Sequence, residues 1–182
     1  MTPLTIIAEP IADAPAAEPE IDLRPMMAAF PTGVAVITAI AADGQPLGMT
    51  CSSLCSASLS PPLVLACLRR GSPTLAAIRR GRFTLNLLQS HATATARLFA
   101  SGRADRFDHV RWTAGRGGPR LTDDAHTIAD FSVVATYQAG DHDVVVGQAL
   151  SIEELTPPEP LMYGLRRFLH WNAHHSQPSR DA

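Results

Sequence analysis

Two segments near residues 30 and 50 combine small hydroxyl side chains with glycine inside strand-forming sequence. Phe30-Pro31-Thr32-Gly33-Val34 leads into an apolar strand, and Gly48-Met49-Thr50-Cys51-Ser52-Ser53-Leu54 follows one hairpin later. Glycine within a strand usually marks a close approach to the backbone. The second segment offers N–H groups and hydroxyls with little bulk, which suits a flat ligand with polar edges and a phosphate tail. A plain hairpin whose serines face solvent would give the same pattern, so these residues alone leave both interpretations open.

Two further places hold residues that suit ligand chemistry. Ser72 and Pro73 open a predicted helix over residues 74–80, and the free N–H groups of a helix N-terminus suit a phosphate. His142 lies in the turn Gly140-Asp141-His142-Asp143 between two predicted strands, a position where side chains point into clefts. Taken alone, a histidine there is more often a turn residue than a catalytic one.

The sequence predicts neither a metal site nor a Rossmann nucleotide site. His170, His174 and His175 have a spacing that a metal could use, but they run into a tail-like C-terminus, and we expect no metal. Gly115-Arg116-Gly117-Gly118 lacks both the spacing and the preceding strand of a dinucleotide-binding loop. All 15 basic residues are arginines, so there is no lysine for a phosphate-binding P-loop. Any nicotinamide or flavin must therefore bind outside a Rossmann frame.

Composition and charge restrict the class of protein. A chain of 182 residues with 46% apolar and 18% charged residues fits one globular domain. The net charge of -2 and the scattered arginines argue against nucleic acid as a partner. No apolar run approaches the ~20 residues that a spanning helix needs, so we expect no membrane association. The spacing of Cys51, Cys55 and Cys67 matches no metal motif and predicts buried, reduced thiols in a cytoplasmic protein.

The chain divides into three segments by composition. Residues 1–22 are rich in alanine, proline and acids without an apolar period, which predicts a disordered N-terminal arm. Residues 23–172 are expected to form the folded domain, and residues 173–182 a flexible C-terminal tail. A short helix from Leu23 is expected to carry Met26, Met27 and Phe30 toward the core and to stop at Pro31.

Short strands dominate the predicted domain. Asp43-Gly44 is a strong hairpin signal, and Ser90 is a candidate cap for a second helix that ends at Gly102. The predicted strands span residues 34–40, 47–58, 63–68, 82–88, 131–137, 144–152 and 161–164. Many short strands with two or three helices predict a mainly β fold, a β-barrel with peripheral helices.

Several short motifs occur in an order that resembles the short-chain flavin reductases. This flavin-binding split-barrel family supplies reduced flavin to a separate monooxygenase or halogenase, and the similarity covers residues 26–171. Beyond the two segments described first, the matching motifs are Ser58-Leu59-Ser60-Pro61-Pro62, Cys67-Leu68, Ser72-Pro73-Thr74-Leu75, Gly81-Arg82-Phe83, Asn86-Leu87-Leu88, Asp105-Arg106-Phe107 and Gly140-Asp141-His142. The closing Tyr163-Gly164-Leu165-Arg166-Arg167-Phe168 and Trp171 are most similar to reductases that are paired with tryptophan halogenases.

The resemblance implies a homodimeric split barrel that binds flavin in a groove at the subunit interface. The flavin would be FAD or FMN, with FAD favoured by the halogenase-type motifs. NADH would be the reductant in preference to NADPH, because no basic cluster for a 2′-phosphate is evident. His142 at the mouth would contact the nicotinamide, and Arg106 would add charge near the phosphate. The positions that match flavin-contacting residues are Thr32, Gly33, Met49, Thr50, Cys51, Ser52, Ser53, Ser72, Thr74, Asn86 and Leu87.

The implied reaction is hydride transfer from nicotinamide C4 to flavin N5, which needs stacked rings rather than a side-chain acid or base. Backbone N–H groups from Thr50 to Ser53 would stabilise the negative charge that reduction places on the flavin. The implied partner is a flavin-dependent halogenase or monooxygenase. Two other classes stay open: a non-catalytic flavin- or haem-binding split barrel, and an FMN oxidase similar to the pyridoxine-phosphate oxidases.

Overall fold

The computed structural model describes residues 21–171. Residues 1–20 and 172–182, which include most of the expected arm and the whole expected tail, lie outside the described residues. The helices are α1 (Arg24–Ala28), α2 (Pro73–Ile78) and α3 (Thr93–Ala100), and a 3₁₀ turn spans Arg106–His109. The strands are β1 (Thr32–Gly33), β2 (Ala35–Ile40), β3 (Pro46–Cys51), β4 (Leu54–Leu59), β5 (Pro62–Arg69), β6 (Arg82–Leu88), β7 (Thr113–Ala114), β8 (Pro119–Arg120), β9 (Ala125–Ala139), β10 (His142–Glu154), β11 (Leu161–Gly164) and β12 (Arg167–His170).

One seven-stranded antiparallel sheet forms most of the molecule, with the strand order β3-β2-β6-β9-β10-β5-β4. Its two edge strands, β3 and β4, are consecutive in the chain and are joined by Ser52 and Ser53. The sheet curls at this corner, because the Cys67 N–H donates to the Ser53 carbonyl at 3.2 Å and the Ser53 hydroxyl donates to the Cys67 carbonyl at 2.8 Å. A smaller sheet, β1-β11-β12, flanks the large one. The expected mainly β fold with peripheral helices is confirmed.

Alternate residues of β2 serve two apolar layers. Ile37 and Ala39 belong to a cluster inside the curled sheet, where Phe83 and Phe131 stack with ring centroids 5.0 Å apart. Val36 of β2 and Val34, which precedes the strand, lie on the opposite side and belong to a second cluster beneath α3. This alternation is the period of two that a strand buried on both faces requires.

A glycine lets α3 pack closely on β3. A Cβ atom at Gly48 would lie 3.0 Å from the ring of Phe99, a fully buried residue of α3. The backbone is therefore approached here by a helix side chain of the protein itself. Of the two sequence segments that suggested a close ligand approach, this one owes its glycine to packing, while no atom lies within 4 Å of the corresponding position at Gly33.

Buried polar side chains hold the loop between β7 and β8 against the large sheet. Asn86 is fully buried, its Nδ2 donates to the Val36 carbonyl at 3.1 Å, and its Oδ1 accepts the Leu121 N–H at 2.8 Å. The Asp130 carboxylate accepts the Gly117 N–H at 3.1 Å. Buried polar groups that are paired in this way cost little and fix one arrangement of the loop.

The expectation for the first helix was wrong in one respect. α1 forms before Pro31 as predicted, but Met26, Met27 and Phe30 are 63%, 49% and 65% exposed rather than packed in the core. The helix has five residues and none of them is buried. The spacing of apolar residues in so short a helix predicts which side chains share a face. It does not predict whether another part of the protein covers that face.

Three further expectations need correction. The predicted strand 47–58 breaks at Ser52-Ser53 where the sheet turns its corner. α3 begins at Thr93 and has no side-chain cap, so Ser90 does not cap it. Cys51 is buried as expected, but Cys55 on the edge strand β4 is exposed and Cys67 is half-buried. All three thiols are free.

Candidate functional site

Five of the sequence-predicted site residues line one cleft of about 630 Å³. β3 contributes Met49 and Thr50, the start of α2 contributes Ser72 and Thr74, and the 3₁₀ turn contributes Arg106. These residues come from chain segments up to 57 positions apart, so only the fold brings them together. The volume lies within the range of roughly 300–1,000 Å³ that is typical of small-molecule sites.

The start of α2 is formed by local sequence chemistry. The Ser72 hydroxyl accepts the Leu75 N–H at 3.2 Å, and Pro73 occupies the first helical position. On the facing strand, the Thr50 hydroxyl donates to the Ala96 carbonyl of α3 at 2.6 Å. Both hydroxyls are therefore held in place and keep further hydrogen-bonding capacity toward the cleft.

Arg106 is the most unusual group in the cleft. The residue is only 8% exposed, its Nη1 donates to the Arg103 carbonyl, and its Nε is buried without a hydrogen-bond partner among residues 21–171. No carboxylate of the described chain forms an ion pair with it, and burial lowers the pKa of this guanidinium. A buried cation without a counter-ion is costly, and an anionic ligand group in the cleft would offset that cost.

A second set of predicted residues lies on the other side of the β3–β4 corner. Thr32, Gly33, Ser52 and Leu87 line a groove of about 270 Å³ together with His126. Burial lowers the pKa of the His126 imidazole, and the carboxylate of Glu154 opposes this effect.

A third cavity shares lining residues with both sets. It has a volume of about 460 Å³, and both Thr50 and Ser52 line it, together with the aromatic side chains of Tyr163 and Phe168. The Arg97 guanidinium lies 5.6 Å from the centroid of the Phe168 ring. Thr50 and Ser52 therefore each border two of these three cavities.

The Asn86 side chain is engaged by the protein itself. Its side chain is fully buried, and its amide is used entirely by Val36, Thr38, Pro119 and Leu121 within the sheet and its loop. The folded chain leaves no free side-chain amide atom of Asn86 for a ligand, so this side chain supports the fold, and a flavin contact at Asn86 stays a prediction.

Cys51 and Ser53 are also engaged by the protein itself. The Cys51 side chain is 5% exposed and faces the inner core, and burial raises the pKa of its thiol. The Ser53 hydroxyl closes the sheet on Cys67. Any contact of Cys51 with a ligand would therefore use the backbone.

His142 lies at the start of β10 and does not line any of the three cavities described above. Its Nδ1 hydrogen-bonds to Asp141 at 2.8 Å, and its side chain is 42% exposed. β10 pairs with β5 here, with His142 opposite Arg69, so the turn adjoins the loop that leads to α2. In a single chain the histidine is thus beside the Ser72 segment and outside the cleft.

Sequence reasoning missed the ion pairs that hold this turn. Asp143 is 1% exposed, and its carboxylate binds Arg79 at the end of α2 and lies 3.7 Å from the Nε of Arg70. The Arg70 N–H also donates to the Asp141 carbonyl at 2.9 Å. The sequence signal for these ion pairs was an acid directly before the apolar run Val144-Val145-Val146. An acid in a buried strand predicts a basic partner, because a carboxylate is rarely buried unless it is paired.

Comparison with known proteins identifies the relatives of this chain. The family model described as "Flavin reductase like domain" matches residues 27–172. A protein of Lentzea aerocolonigenes named flavin reductase (NADPH) is 46% identical over 154 residues, which are 82% of this chain and 89% of that protein.

Two solved structures share the fold. The NADH:FAD oxidoreductase SgcE6 of Streptomyces globisporus, in complex with NAD and FAD fragments, is similar with a TM-score of 0.75 and 30% identity over 87% of this chain and 93% of that one. BorF, the flavin reductase component of a bacterial two-component tryptophan halogenase, has a TM-score of 0.73 and 29% identity over 81% of this chain and 95% of that one.

In residues 21–171 no helix has both the length and the hydropathy that crossing a bilayer requires.

The family model spans nearly all of the described domain, and the similarity to the Lentzea aerocolonigenes reductase extends over most of both chains. This chain therefore belongs to the family of flavin reductase like domains.

Proposed function

We propose that this protein is an NAD(P)H-dependent flavin reductase that provides reduced FAD or FMN to a flavin-dependent halogenase or monooxygenase. Membership of the family and the names of its relatives support the reaction class. The named role of BorF supports a halogenase among the candidate partners. Reduced flavin leaves the site and reaches the partner enzyme in this proposal.

The observation that carries the proposal is the unpaired Arg106 in the cleft with Ser72 and Thr74. A flavin nucleotide has an anionic phosphate next to a polar tail, and a buried guanidinium binds phosphate oxygens through several charge-assisted hydrogen bonds. Arg106 is buried and has a free Nε, so the donor set present here fits the phosphate end of a flavin nucleotide.

The small residues along the corner would hold the ring system. Thr50 and Ser52 border the cavity of about 460 Å³ and leave room for a flat ring, and the aromatic side chains of Tyr163 and Phe168 line the same cavity. Bound flavin supplies a hydride acceptor at N5, and nicotinamide supplies the hydride from C4. The protein's own contribution is to hold the two rings at contact distance, so no side-chain acid or base is required.

We propose that the working form is a homodimer. Met27, Phe30 and Tyr163 are exposed apolar side chains, and they line a groove of about 550 Å³ with Ser52 and Ser53. Large apolar side chains that border a polar strip are typical of an interface. A second subunit seated there would cover them and bring its own residues, His142 included, toward the ring site.

The proposal includes both NADH and NADPH. The sequence argument for NADH was that no basic cluster is evident, but the fold brings Arg24 and Arg166 to the same groove. The relatives named above include one flavin reductase (NADPH) and one NADH:FAD oxidoreductase.

A single assay tests the function. Purified full-length protein is mixed with NADH or NADPH, and nicotinamide absorbance is followed with and without added FAD, FMN or riboflavin. We expect turnover that depends on free flavin, and a sedimentation coefficient of a dimer for the same sample. A retained pigment without nicotinamide oxidation would instead indicate a carrier, and oxidation of an organic amine would indicate an oxidase.

A further inference from the structure

A separate cavity at the far end of α2 is lined by three arginines and a glycine-rich loop. Arg80 and Arg82 flank Gly81 in the turn between α2 and β6, and Arg116 lies in the loop Gly115–Gly118. The cavity has a volume of about 310 Å³ and shares no lining residue with the cleft and grooves described above. It therefore has no part in the proposed flavin site.

The glycine-rich loop is fixed in place by the protein. Its ends are joined by a hydrogen bond from the Gly115 N–H to the Gly118 carbonyl at 3.0 Å, and the Gly117 N–H donates to Asp130 at 3.1 Å. A Cβ atom at Gly117 would lie 2.0 Å from the Phe83 carbonyl oxygen, and one at Gly118 would lie 2.8 Å from the backbone of Ala39. Only glycine fits at these positions, so the loop holds Arg116 on a rigid base.

The other two arginines also project from a fixed backbone. Gly81 between them has φ +116°, a conformation that side chains other than glycine rarely adopt. Its N–H donates to the Ile78 carbonyl at 2.9 Å and its carbonyl accepts the Val133 N–H at 2.9 Å. The positions from which Arg80 and Arg82 reach the cavity are thus determined by the end of α2 and the start of β6.

The three arginines that line this cavity are exposed at the surface. Among residues 21–171, the ion pairs of the protein involve none of Arg80, Arg82 and Arg116. Like charges on rigid supports repel one another, and a bound anion would relieve that repulsion. The guanidinium fork matches the oxygens of phosphate, and the volume suits a small phosphorylated molecule rather than a dinucleotide.

We propose that this cavity is an anion site for the phosphate group of a small phosphorylated molecule. Arg80, Arg82 and Arg116 bind the phosphate oxygens, and the loop Gly115–Gly118 provides the floor. The site does not depend on the proposed reductase function, because its residues and its charges are separate from those of the Arg106 cleft.

Nuclear magnetic resonance of the full chain tests the site. Inorganic phosphate is titrated against chloride at constant ionic strength, and backbone amide shifts are recorded. We expect the largest shifts at residues 115–118 and 80–82, saturating with phosphate. Arg116→Gln and Arg80→Gln should each weaken binding about tenfold, the size of one charge-assisted contact. Arg111→Gln, which removes an exposed arginine paired with Asp123 outside the cavity, should leave binding unchanged.

Three results would overturn the site. If Arg111→Gln weakens phosphate binding as much as Arg116→Gln does, the anion responds to the net charge of the protein and not to this cavity. Phosphate-induced shifts confined to Ser72, Thr74 and Arg106 would place the anion in the other cleft. As a control for that outcome, the variant Arg106→Gln should still show the phosphate-induced shifts of residues 115–118. Glycerol 3-phosphate should bind at least as tightly as inorganic phosphate, and clearly weaker binding would exclude a phosphorylated molecule as the ligand.

Discussion

Two buried polar regions of this protein differ in whether their hydrogen bonds are complete. In the interior region, Asn86 donates and accepts within the sheet and its loop, and Asp130 accepts bonds from Thr84 and Gly117. In the cleft, the buried Arg106 has a polar atom without a partner in the described chain. Both residues are nearly inaccessible to solvent, because Asn86 is 0% and Arg106 is 8% exposed.

The difference separates residues that build the fold from residues that are available to a ligand. A completed buried network contributes to stability and excludes other arrangements of the chain. An incomplete one reduces stability until a ligand completes it, so it points to a binding site. The motifs Asn86-Leu87-Leu88 and Asp105-Arg106-Phe107 both match the family, but the side chain of Asn86 is fully paired, whereas Arg106 keeps one buried atom without a partner in residues 21–171.

Replacing Asn86 should disrupt the buried hydrogen bonds of the interior region and give the largest change in stability. Asn86→Leu leaves the buried Leu121 N–H without its acceptor, and we expect the free energy of unfolding to fall by about 3 kcal/mol. Urea unfolding followed by circular dichroism measures this. Gln138→Leu, at an exposed position of β9, should change the same quantity by less than about 0.5 kcal/mol. Unchanged stability together with lost flavin binding would restore Asn86 as a ligand contact.

Replacing Arg106 should affect flavin binding more than stability. Arg106→Gln should raise the dissociation constants of FMN and FAD about tenfold, because one charge-assisted phosphate contact is lost, and should leave that of riboflavin nearly unchanged. Fluorescence titration with the three flavins measures this. Arg103→Gln, which removes an exposed arginine paired with Asp105, serves as the control. If Arg106→Gln weakens riboflavin binding as much as FMN binding, the contact is not to the phosphate. If it lowers the free energy of unfolding as much as Asn86→Leu does, Arg106 supports the fold in the same way as Asn86.

The ion pairs of Asp143 should affect the use of NADH, because they hold the turn that carries His142. His142→Ala should weaken NADH use several-fold and leave flavin affinity nearly intact. Arg79→Gln should raise the KM for NADH in the same direction but by less, and Arg79→Lys should restore part of the loss, because Arg79 holds the turn through Asp143. Steady-state kinetics at saturating flavin measure these values. Unchanged NADH kinetics in His142→Ala would refute its role, and a normal Arg79→Gln would refute the positioning.

The smallest effect concerns His126 in the groove with Thr32 and Gly33. Burial lowers its pKa below the usual 6.5, so the unfolded chain binds a proton at a higher pH than the folded chain does. Stability is therefore complete above about pH 6.5 and falls as the pH drops toward the lower folded value. His126→Gln should reduce the loss of unfolding free energy between pH 7.5 and 5.5 by at most about 1.4 kcal/mol. The exposed His91→Gln should leave the loss unchanged, and no difference between the two variants would contradict the prediction.

Local signals in the sequence predicted several elements well. The limits predicted for one strand, residues 82–88, agree with β6, and the Asp43-Gly44 turn forms with Gly44 at φ +84°. The Ser72 cap of α2 is also present. These features depend on residues within a few positions of one another, so the sequence pattern contains the information that is needed.

Features that depend on distant contacts were not predictable in the same way. The break at Ser52-Ser53 occurs where Ser53 bonds to Cys67, and the exposure of Phe30 depends on which element covers α1. The resemblance to flavin reductases named candidate residues without separating those that face the cleft from those inside the sheet. The assignment of Ser72, Thr74 and Arg106 as flavin contacts stays a prediction.

The sequence alone determined the period of its strands, its turns, the start of α2 and the family to which it is similar, because these depend on residue types and short spacings. Only the tertiary structure decided that Asn86 is enclosed, while Arg106 borders a cleft and forms no ion pair with an acid in residues 21–171. The physical reason is that burial and pairing depend on atoms from strands and turns far apart in the chain, and their positions are settled only when the sheet has closed at Ser53.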